Sequence, residues 1–287
     1  MISPSPSPSP PRRLAAKGLV ALVVGAVAVV AVVASRSQET PAPIAAPSSA
    51  PSVLPPLPST SPVSAAHARA ITPEITTAED DDVELDVFSL RVAGTTFDVV
   101  DLGMGRDLAG ALAQKSASLA VNGGYFAPST EAEGLVIVAG KTLSPFAPAL
   151  GGGVFVVGRG GRVALHDAAG FSVPLDADFA IQAKPRLVVA SAVNLHGDDG
   201  RKAERTALCV RDEGRSLEVI VAHGKTATPG GPTLTLLAEM LVSRGCEGAL
   251  NLDGGPSTGA AWQGAERVEV RPPRADIRHA LTFRLAP

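Results

Sequence analysis

Proline is concentrated at the front of this chain. Thirteen of its 25 prolines fall within the first 62 residues, and the other 225 residues carry 12, close to the usual background of about 5%. Because proline fixes φ and lacks a backbone N–H, the front cannot build a sheet or a packed core. The sequence therefore predicts one folded domain at 80–287, which is long enough for a well-buried core.

The front divides into three segments. A Ser/Pro-rich stretch, 1–17, precedes 17 uncharged residues at 18–34, and a Pro/Ala/Ser-rich linker, 35–79, follows. As a helix, 18–34 would be about 25 Å long, at the short end of a membrane span. Arg12, Arg13 and Lys17 precede this run, which predicts a cytoplasmic N-terminus and a single-pass anchor with the domain outside the cytoplasm. The alternative is a signal peptide cleaved before Ser35, which would release a secreted protein.

The net charge of the chain argues against a nucleic-acid partner. The net charge of −3 and a pI near 6.0 give no bulk attraction to nucleic acid, and no basic patch is interleaved with aromatic residues. The acidic run at 79–82 lacks the spacing of an EF-hand loop. The Gly-rich stretch at 158–161 has strand patterns on both sides, so it predicts a hairpin turn and no phosphate-binding loop. We therefore expect no cofactor, no metal and no nucleic-acid partner.

The domain is rich in strand patterns. Alternating or β-branched runs occur at 83–92, 96–102, 205–211, 216–224 and 279–286, and a Gly-centred hairpin is predicted at 152–165. Helices are predicted at 107–116, with Asp107 as N-cap, and at 231–245, with Pro232 near its start and Gly245 ending it. Because strands outnumber helices and hairpins outnumber crossovers, we predict an α+β fold with mostly antiparallel or mixed sheets.

The only two cysteines, Cys209 and Cys246, leave two alternatives open. In an exported domain they can form a disulfide that closes a loop of about 37 residues. Otherwise they are two buried thiols. Without a C-x-x-C or a histidine cluster, they do not predict a structural zinc site.

Two short stretches repeat one design, in which an apolar strand ends at a polar residue and a glycine pair follows. "AVNGGYF" contains Asn122, Gly123 and Gly124, and "NLDGGPST" contains Asn251, Asp253 and a second glycine pair. The first stretch is also typical of a type I′ hairpin, and in the second Asp253 can simply cap a turn. If Asn251 and Asp253 lie on one strand, their side chains share a face, and the glycines let a ligand approach the backbone.

These stretches, with "AIQAKPRLV" and "RTAL" between them, resemble the phosphodiester glycosidase domain family over roughly residues 85–286. The resemblance implies hydrolysis of a sugar 1-phosphodiester, and we expect the substrate to be an envelope or extracellular glycan. That chemistry needs a carboxylate near the anomeric carbon and a cation for the phosphate. We assign these roles to Asp253 and to Arg205, and Glu133 is the candidate second carboxylate. The resemblance implies substrate binding by a larger set of residues: Asn122, Gly123, Gly124, Thr206, Asn251, Gly254, Gly255, Ser257 and Thr258.

Three positions depart from the family pattern. Pro256 stands where many relatives have a third glycine, Lys184 follows Ala183 where small residues are common, and His279 replaces a common asparagine. These departures concern the substrate more than the reaction class. The rival hypothesis is a non-catalytic glycan-binding module tethered to the envelope, and a third is a binder in which Asn251 and Asp253 hold a cation. The presence of a carboxylate, an arginine and both glycine loops together favours the enzyme, since a binding surface would usually be richer than 3% in aromatic residues.

Overall fold

The computed structural model describes residues 68–78 and 82–286. The Ser/Pro-rich stretch, the apolar run at 18–34 and most of the linker lie outside these residues, so the anchor stays a prediction. Within the described ranges, no helix has the length and apolar character needed to cross a bilayer. The first described strand begins at Glu74 and pairs with the next one, so sheet structure starts ahead of residue 80.

Three antiparallel sheets form the domain. The strands of the largest sheet are β1 (Glu74–Thr77), β2 (Glu84–Arg91), β10 (Arg186–Val189), β11 (Ala192–Val193), β12 (Arg205–Arg211), β13 (Ser216–His223) and β14 (Gly248–Asn251). Their order across the sheet is β1-β2-β13-β12-β14-β10-β11.

The two smaller sheets each contain five strands. The second sheet comprises β3 (Thr95–Gly105), β4 (Leu119–Asn122), β15 (Ala260–Gln263), β16 (Val268–Arg271) and β17 (Ile277–Leu285), in the order β16-β15-β4-β17-β3. The third comprises β5 (Val136–Val138), β6 (Lys141–Ser144), β7 (Gly153–Gly158), β8 (Arg162–Asp167) and β9 (Ala177–Ala183), in the order β6-β5-β9-β7-β8. Every pairing among these strands is antiparallel, and with two short helices the predicted α+β class is confirmed.

Both helices lie where the sequence predicts them. Helix α1 (Leu108–Gln114) begins after Asp107, whose side chain accepts a hydrogen bond from Gly110 N at 2.7 Å. Helix α2 (Leu234–Ser243) is capped by Thr233, whose hydroxyl accepts from Leu236 N. Gly245 follows α2 with φ +84°, a conformation that glycine adopts without a steric penalty.

Only one of the two predicted glycine hairpin turns, at 158–161 and at 122–123, forms a hairpin. The stretch at 158–161 closes the β7–β8 hairpin, as predicted, with Gly161 N donating to Gly158 O. The Asn-Gly at 122–123 does not form a hairpin. There β4 lies between β15 and β17, and the chain leaves the sheet after Asn122. The hairpin interpretation fails because long-range partners occupy both edges of β4.

The main core fills the space between the sheets. Its largest side chains are five phenylalanines contributed by strands of all three sheets, Phe88, Phe97, Phe155, Phe179 and Phe283. Trp262 is partly buried and packs against this core, with its ring centroid 5.3 Å from that of Phe88. Helix α2 covers the outer face of the large sheet, and α1 covers the second sheet.

A disulfide joins Cys209 on β12 to Cys246 after α2, with the two Cα atoms 5.5 Å apart. The end of α2 places Cys246. Its backbone N–H donates to Leu241 O while Gly245 N donates to Val242 O, the two bonds of a Schellman motif. This motif turns the chain back toward the sheet. The bond therefore ties α2 to the centre of the large sheet.

We expect the paired substitution Cys209→Ala with Cys246→Ala to lower the free energy of unfolding by about 4 kcal/mol, because the bond closes a 37-residue separation. Denaturant unfolding of the variant beside the wild type measures this loss. Mass measurement after alkylation without reductant should find no free thiol. Two alkylated cysteines in natively produced protein would contradict the expectation.

Candidate active site

The two glycine loops lie side by side, although 131 residues separate their polar ends. Asn122 Nδ2 donates to Asp253 O at 2.7 Å, and Asp253 N donates to Gly123 O at 3.3 Å. Strands β4 and β14 belong to different sheets, and each loop follows the end of its strand. The site is therefore built where these two sheets meet.

Asn122 holds this junction together from a fully buried position. Its Oδ1 accepts from Thr206 Oγ1 at 2.6 Å and from Gly259 N at 3.2 Å. Thr206 is equally buried. Because their polar atoms are engaged inside the protein, Asn122 and Thr206 are placed to orient the two loops.

The direction of the Asn251 side chain differs from the sequence-based expectation that it shares a face with Asp253. Strand β14 ends at Asn251, so the strand alternation that would put Asn251 and Asp253 on one face does not extend to Asp253. The Asn251 amide points inward, and its Nδ2 donates to Lys184 O at 3.0 Å and to Leu252 O at 2.6 Å. Asn251 thus supports the loop from beneath, and among the described residues Asp253 belongs to no group of three His, Cys, Asp or Glu side chains that could hold a metal.

Asp253 carries the partly buried carboxylate of the site. Its Oδ1 accepts from Gly254 N at 2.8 Å, and the Ser257 hydroxyl also bonds its side chain. Burial raises the pKa of Asp253 above its ordinary value, while the bonds from Ser257 and Gly254 oppose that rise. The group is held in one position and its negative charge is poorly solvated.

The glycine pair after Asp253 forms a tight turn into a short 3-10 segment, Gly255–Ser257. Gly255 has φ +61°, and its N–H donates to Glu204 O at 2.7 Å. A Cβ at Gly254 would lie 3.1 Å from the same carbonyl oxygen. The turn thus packs against the start of β12. Thr258, which follows, has a buried hydroxyl without a hydrogen-bond partner.

Arg205 begins β12 beside this turn, with its Cδ 3.6 Å from the position of a Cβ on Gly254. Its Nη2 donates to Arg201 O at 2.9 Å, and its Nε has no partner. Among the described residues no carboxylate forms an ion pair with Arg205. Burial and the positive charge of Arg201 lower the pKa of Arg205, and the charges of Asp199 and Asp198 oppose that shift.

The sequence prediction missed three further residues at the site. The Tyr125 hydroxyl donates to Lys184 O at 2.8 Å, and burial, reinforced by the charge of Asp253, raises its pKa to about 12. Lys184 is exposed, with Nζ 5.8 Å from the centroid of the Tyr125 ring. Arg201 Nη2 lies 4.0 Å from the position of a Cβ on Gly255. One signal was available, since Tyr125 is the chain's only tyrosine and follows the first glycine pair.

His279 holds the first glycine loop, at Gly123 and Gly124, through two hydrogen bonds. Its Nε2 accepts from Gly124 N at 3.1 Å, and its backbone oxygen accepts from Gly123 N at 3.0 Å. Burial lowers the pKa of His279 to about 4, so the ring is neutral at pH 7. The acceptor role of Nε2 places the ring proton on Nδ1.

We expect Gly123→Ala to destabilise the protein by about 1–3 kcal/mol, because the ring of His279 leaves no room for a side chain. The new Cβ would overlap His279 Cδ2 and lie 2.5 Å from Nε2, so the ring would have to leave Gly124. Thermal melts measure the loss. Gly160→Ala is the control, since a Cβ there meets no atom within 4 Å. Equal melting temperatures for the two variants would contradict the expectation.

Glu133, the candidate second carboxylate, lies at the rim. Its backbone N–H donates to Tyr125 O at 2.9 Å and its side chain is exposed. No hydrogen bond or ion pair of its carboxylate appears among the described residues. The structure therefore brings the Glu133 backbone to the loop but does not join its carboxylate to Asp253.

Solved structures with a similar fold include three that cover most of this chain. The zebrafish N-acetylglucosamine-1-phosphodiester alpha-N-acetylglucosaminidase catalytic domain, auto-inhibited by its pro-peptide, is 17% identical, with a TM-score of 0.58 over 77% of this chain and 85% of that one. A hypothetical protein from Synechocystis is 15% identical (TM-score 0.55, 74% and 61% covered). A putative exported protein from Burkholderia pseudomallei is 14% identical (TM-score 0.52, 71% and 74% covered). At these identities the likeness concerns the fold.

No curated protein sequence matches the chain. The family model described as phosphodiester glycosidase matches residues 115–282, which is more than half of the chain. The matched segment contains both glycine loops, Arg205 and the junction residue Asn122. The chain belongs to the phosphodiester glycosidase family.

Proposed function

We propose that this protein hydrolyses the glycosidic bond of a sugar 1-phosphodiester. The bond between the anomeric carbon and the phosphate oxygen breaks, and its electron pair stays on that oxygen. Water adds to the anomeric carbon and gives up one proton, which passes to the leaving phosphate or to solvent. The products are a free sugar and a phosphomonoester. One observation carries the proposal: Asp253 and Arg205 flank the Gly254–Gly255 turn without pairing with one another, so both charges are available to a substrate.

The phosphate end of the substrate fits the cationic side of the turn. Arg205 offers a planar donor group whose Nε has no protein partner, and this geometry suits two phosphate oxygens. Arg201 and Lys184 add positive charge at the rim. A phosphodiester carries one negative charge, which these groups balance while the leaving phosphate gains a second.

The sugar end fits the anionic side. As the bond breaks, positive charge develops at the anomeric carbon and ring oxygen. The Asp253 carboxylate is held by Gly254 N and Ser257, so it can stabilise this charge without moving. Tyr125, whose raised pKa keeps its hydroxyl protonated, adds no competing negative charge beside Asp253. A phosphate leaves readily, so the reaction does not require a second carboxylic acid.

Release of sugar from a panel of sugar 1-phosphodiesters by the full chain in detergent tests the proposal. Hexose and N-acetylhexosamine 1-phosphodiesters should release free sugar and a phosphomonoester. Alkyl glycosides of the same sugars serve as the comparison and should be much poorer substrates, because they lack the phosphate that Arg205 binds. Saturable binding of the diesters without turnover would support the rival glycan-binding module instead.

We also propose that the domain works outside the cytoplasm on an envelope or extracellular glycan, tethered by 18–34. The charges before that run and the disulfide between Cys209 and Cys246 support this location, since such bonds persist in oxidising compartments. Protease added to spheroplasts should degrade the domain while the chain remains in the membrane fraction. A soluble product that begins at Ser35 would instead identify a cleaved signal peptide.

A further inference from the structure

A second cluster of ionisable side chains lies apart from Asp253, at the end of strands β2 and β13. Glu84, Asp86 and His223 bring one ligand atom each within 4.8 Å of one another. His223 stands opposite Glu84 in the strand register, and Asp86 is two residues along β2 on the same face. The register of two neighbouring strands therefore gathers an imidazole and two carboxylates at one point.

His223 is aimed at the two carboxylates. It is 94% buried, since its relative exposure is 6%. Its Nδ1 lies 3.0 Å from Gly224 O, and because a carbonyl oxygen only accepts, Nδ1 carries a proton and donates it. The other nitrogen, Nε2, is buried without a hydrogen-bond partner. A ring fixed by a backbone carbonyl on one nitrogen and open on the other is the usual arrangement of a metal-binding histidine.

The distances favour an ion over a direct hydrogen bond. Nε2 lies 3.5 Å from Glu84 Oε1 and 3.5 Å from Asp86 Oδ2. A charge-assisted hydrogen bond from imidazolium to carboxylate would be about 2.7–2.9 Å long. Ligand atoms around a tetrahedral zinc ion, with bonds of about 2.0–2.1 Å, stand about 3.4 Å apart. Both distances from Nε2 to the carboxylate oxygens are close to the ligand–ligand distance in such a coordination shell.

The surroundings also suit a divalent cation. Arg271 Nε donates to Asp86 Oδ2 at 3.0 Å, which orients this carboxylate as outer-shell partners commonly do. The Glu84 side chain is 29% exposed and leaves an entry path from solvent. We propose that Glu84, Asp86 and His223 bind one divalent transition-metal ion of the zinc class. The ion would fasten the end of β2 to β13, the strand that pairs with β12 and places Ala222 opposite Arg205.

Equilibrium dialysis with Zn²⁺, followed by elemental analysis, tests this site in the full chain. After chelator treatment and without reductant, so that the disulfide stays closed, the wild type should bind one equivalent. His223→Gln and Asp86→Asn should each weaken binding at least about 10-fold. His196→Gln, an exposed histidine outside the cluster, is the matched control and should bind like the wild type. Ca²⁺ should not compete, because it takes oxygen ligands only.

If His223→Gln or Asp86→Asn fails to fold, Glu84→Gln decides, because this side chain is partly exposed and its loss leaves no buried charge unpaired. Two results would overturn the proposal. One is the absence of saturable Zn²⁺ binding by the wild type at pH 7.5. The other is binding that all three ligand variants retain. Either would assign the cluster to a protonated His223 held between two carboxylates.

Discussion

Asp253→Asn should lower kcat/KM toward a sugar 1-phosphodiester at least about 100-fold, the scale of a single electrostatic or acid–base contribution. The amide has nearly the same shape and keeps an oxygen that can accept from Gly254 N, and Ser257 can bond either end of it. It cannot carry the charge that the developing cation needs. Steady-state kinetics on the best diester of the panel measures the loss.

The same substitution should not lower the melting temperature at pH 7. The folded-state pKa of Asp253 is raised, so its contribution to stability is complete below the ordinary value of about 3.9 and is lost as the pH rises through the folded-state pKa. At pH 7 the wild type has lost this stabilising contribution of Asp253. The asparagine variant has no charge to bury at this position, so it loses nothing. The variant should therefore melt at an equal or higher temperature, and its advantage should shrink below about pH 3.9.

Glu133→Gln is the matched control for Asp253→Asn. Its carboxylate is exposed at the rim, so this substitution should change the rate by less than about 3-fold, within the range of a surface charge. If Asp253→Asn turns over at the wild-type rate while Glu133→Gln does not, the catalytic carboxylate is Glu133. A lower melting temperature for Asp253→Asn at unchanged rate would make Asp253 a turn-capping residue.

Arg205→Lys should raise KM for the phosphodiester at least about 10-fold and lower kcat as well. Lysine keeps the positive charge but loses the planar pair of donors that contacts two phosphate oxygens. It also loses the bond from Nη2 to Arg201 O, which fixes the direction of the side chain. Because phosphate charge grows in the transition state, both parameters should change. Inhibition by inorganic phosphate should weaken in parallel.

Arg162→Lys is the matched control for Arg205→Lys, since Arg162 is an exposed arginine on β8, far along the chain from both glycine loops. Its KM and phosphate inhibition should equal those of the wild type. Melting curves for both variants separate lost binding from lost stability. Unchanged KM for Arg205→Lys, with the fold intact, would show that the phosphate is held elsewhere, with Arg201 and Lys184 the next residues to test.

Local signals predicted the elements of the fold well. Asp107 caps α1 through its own side chain, and Gly245 adopts positive φ after α2, because both effects depend on a few neighbouring residues. The β7–β8 hairpin follows from glycines between two β-branched runs. The hairpin interpretation of the Asn-Gly at 122–123 was wrong because a local hairpin pattern carries no information about long-range strand pairing. Here β15 and β17 pair with the two edges of β4.

The candidate site was predictable in part. The paired glycine loops predicted that Asp253 and Gly123 belong to one site, and in the structure Asp253 N donates a hydrogen bond to Gly123 O. The inward turn of Asn251 could not be foreseen, since it depends on where β14 ends and on the Lys184 carbonyl beside it. Arg201 carried no pattern in the sequence, and Lys184 stood out only as a departure from the family pattern. They reach the site through the loops before β12 and after β9, which only tertiary packing brings to the glycine turns.

The central claim is that the bond at the anomeric carbon breaks, and hydrolysis in ¹⁸O-labelled water tests it most directly. The phosphomonoester product is weighed by mass spectrometry, because its oxygens do not exchange with water as the free sugar's anomeric oxygen does. Cleavage at the anomeric carbon leaves every phosphate oxygen unlabelled, and this is the expected result. One ¹⁸O in the phosphomonoester would mean attack at phosphorus and would contradict a glycosidase mechanism built on Asp253.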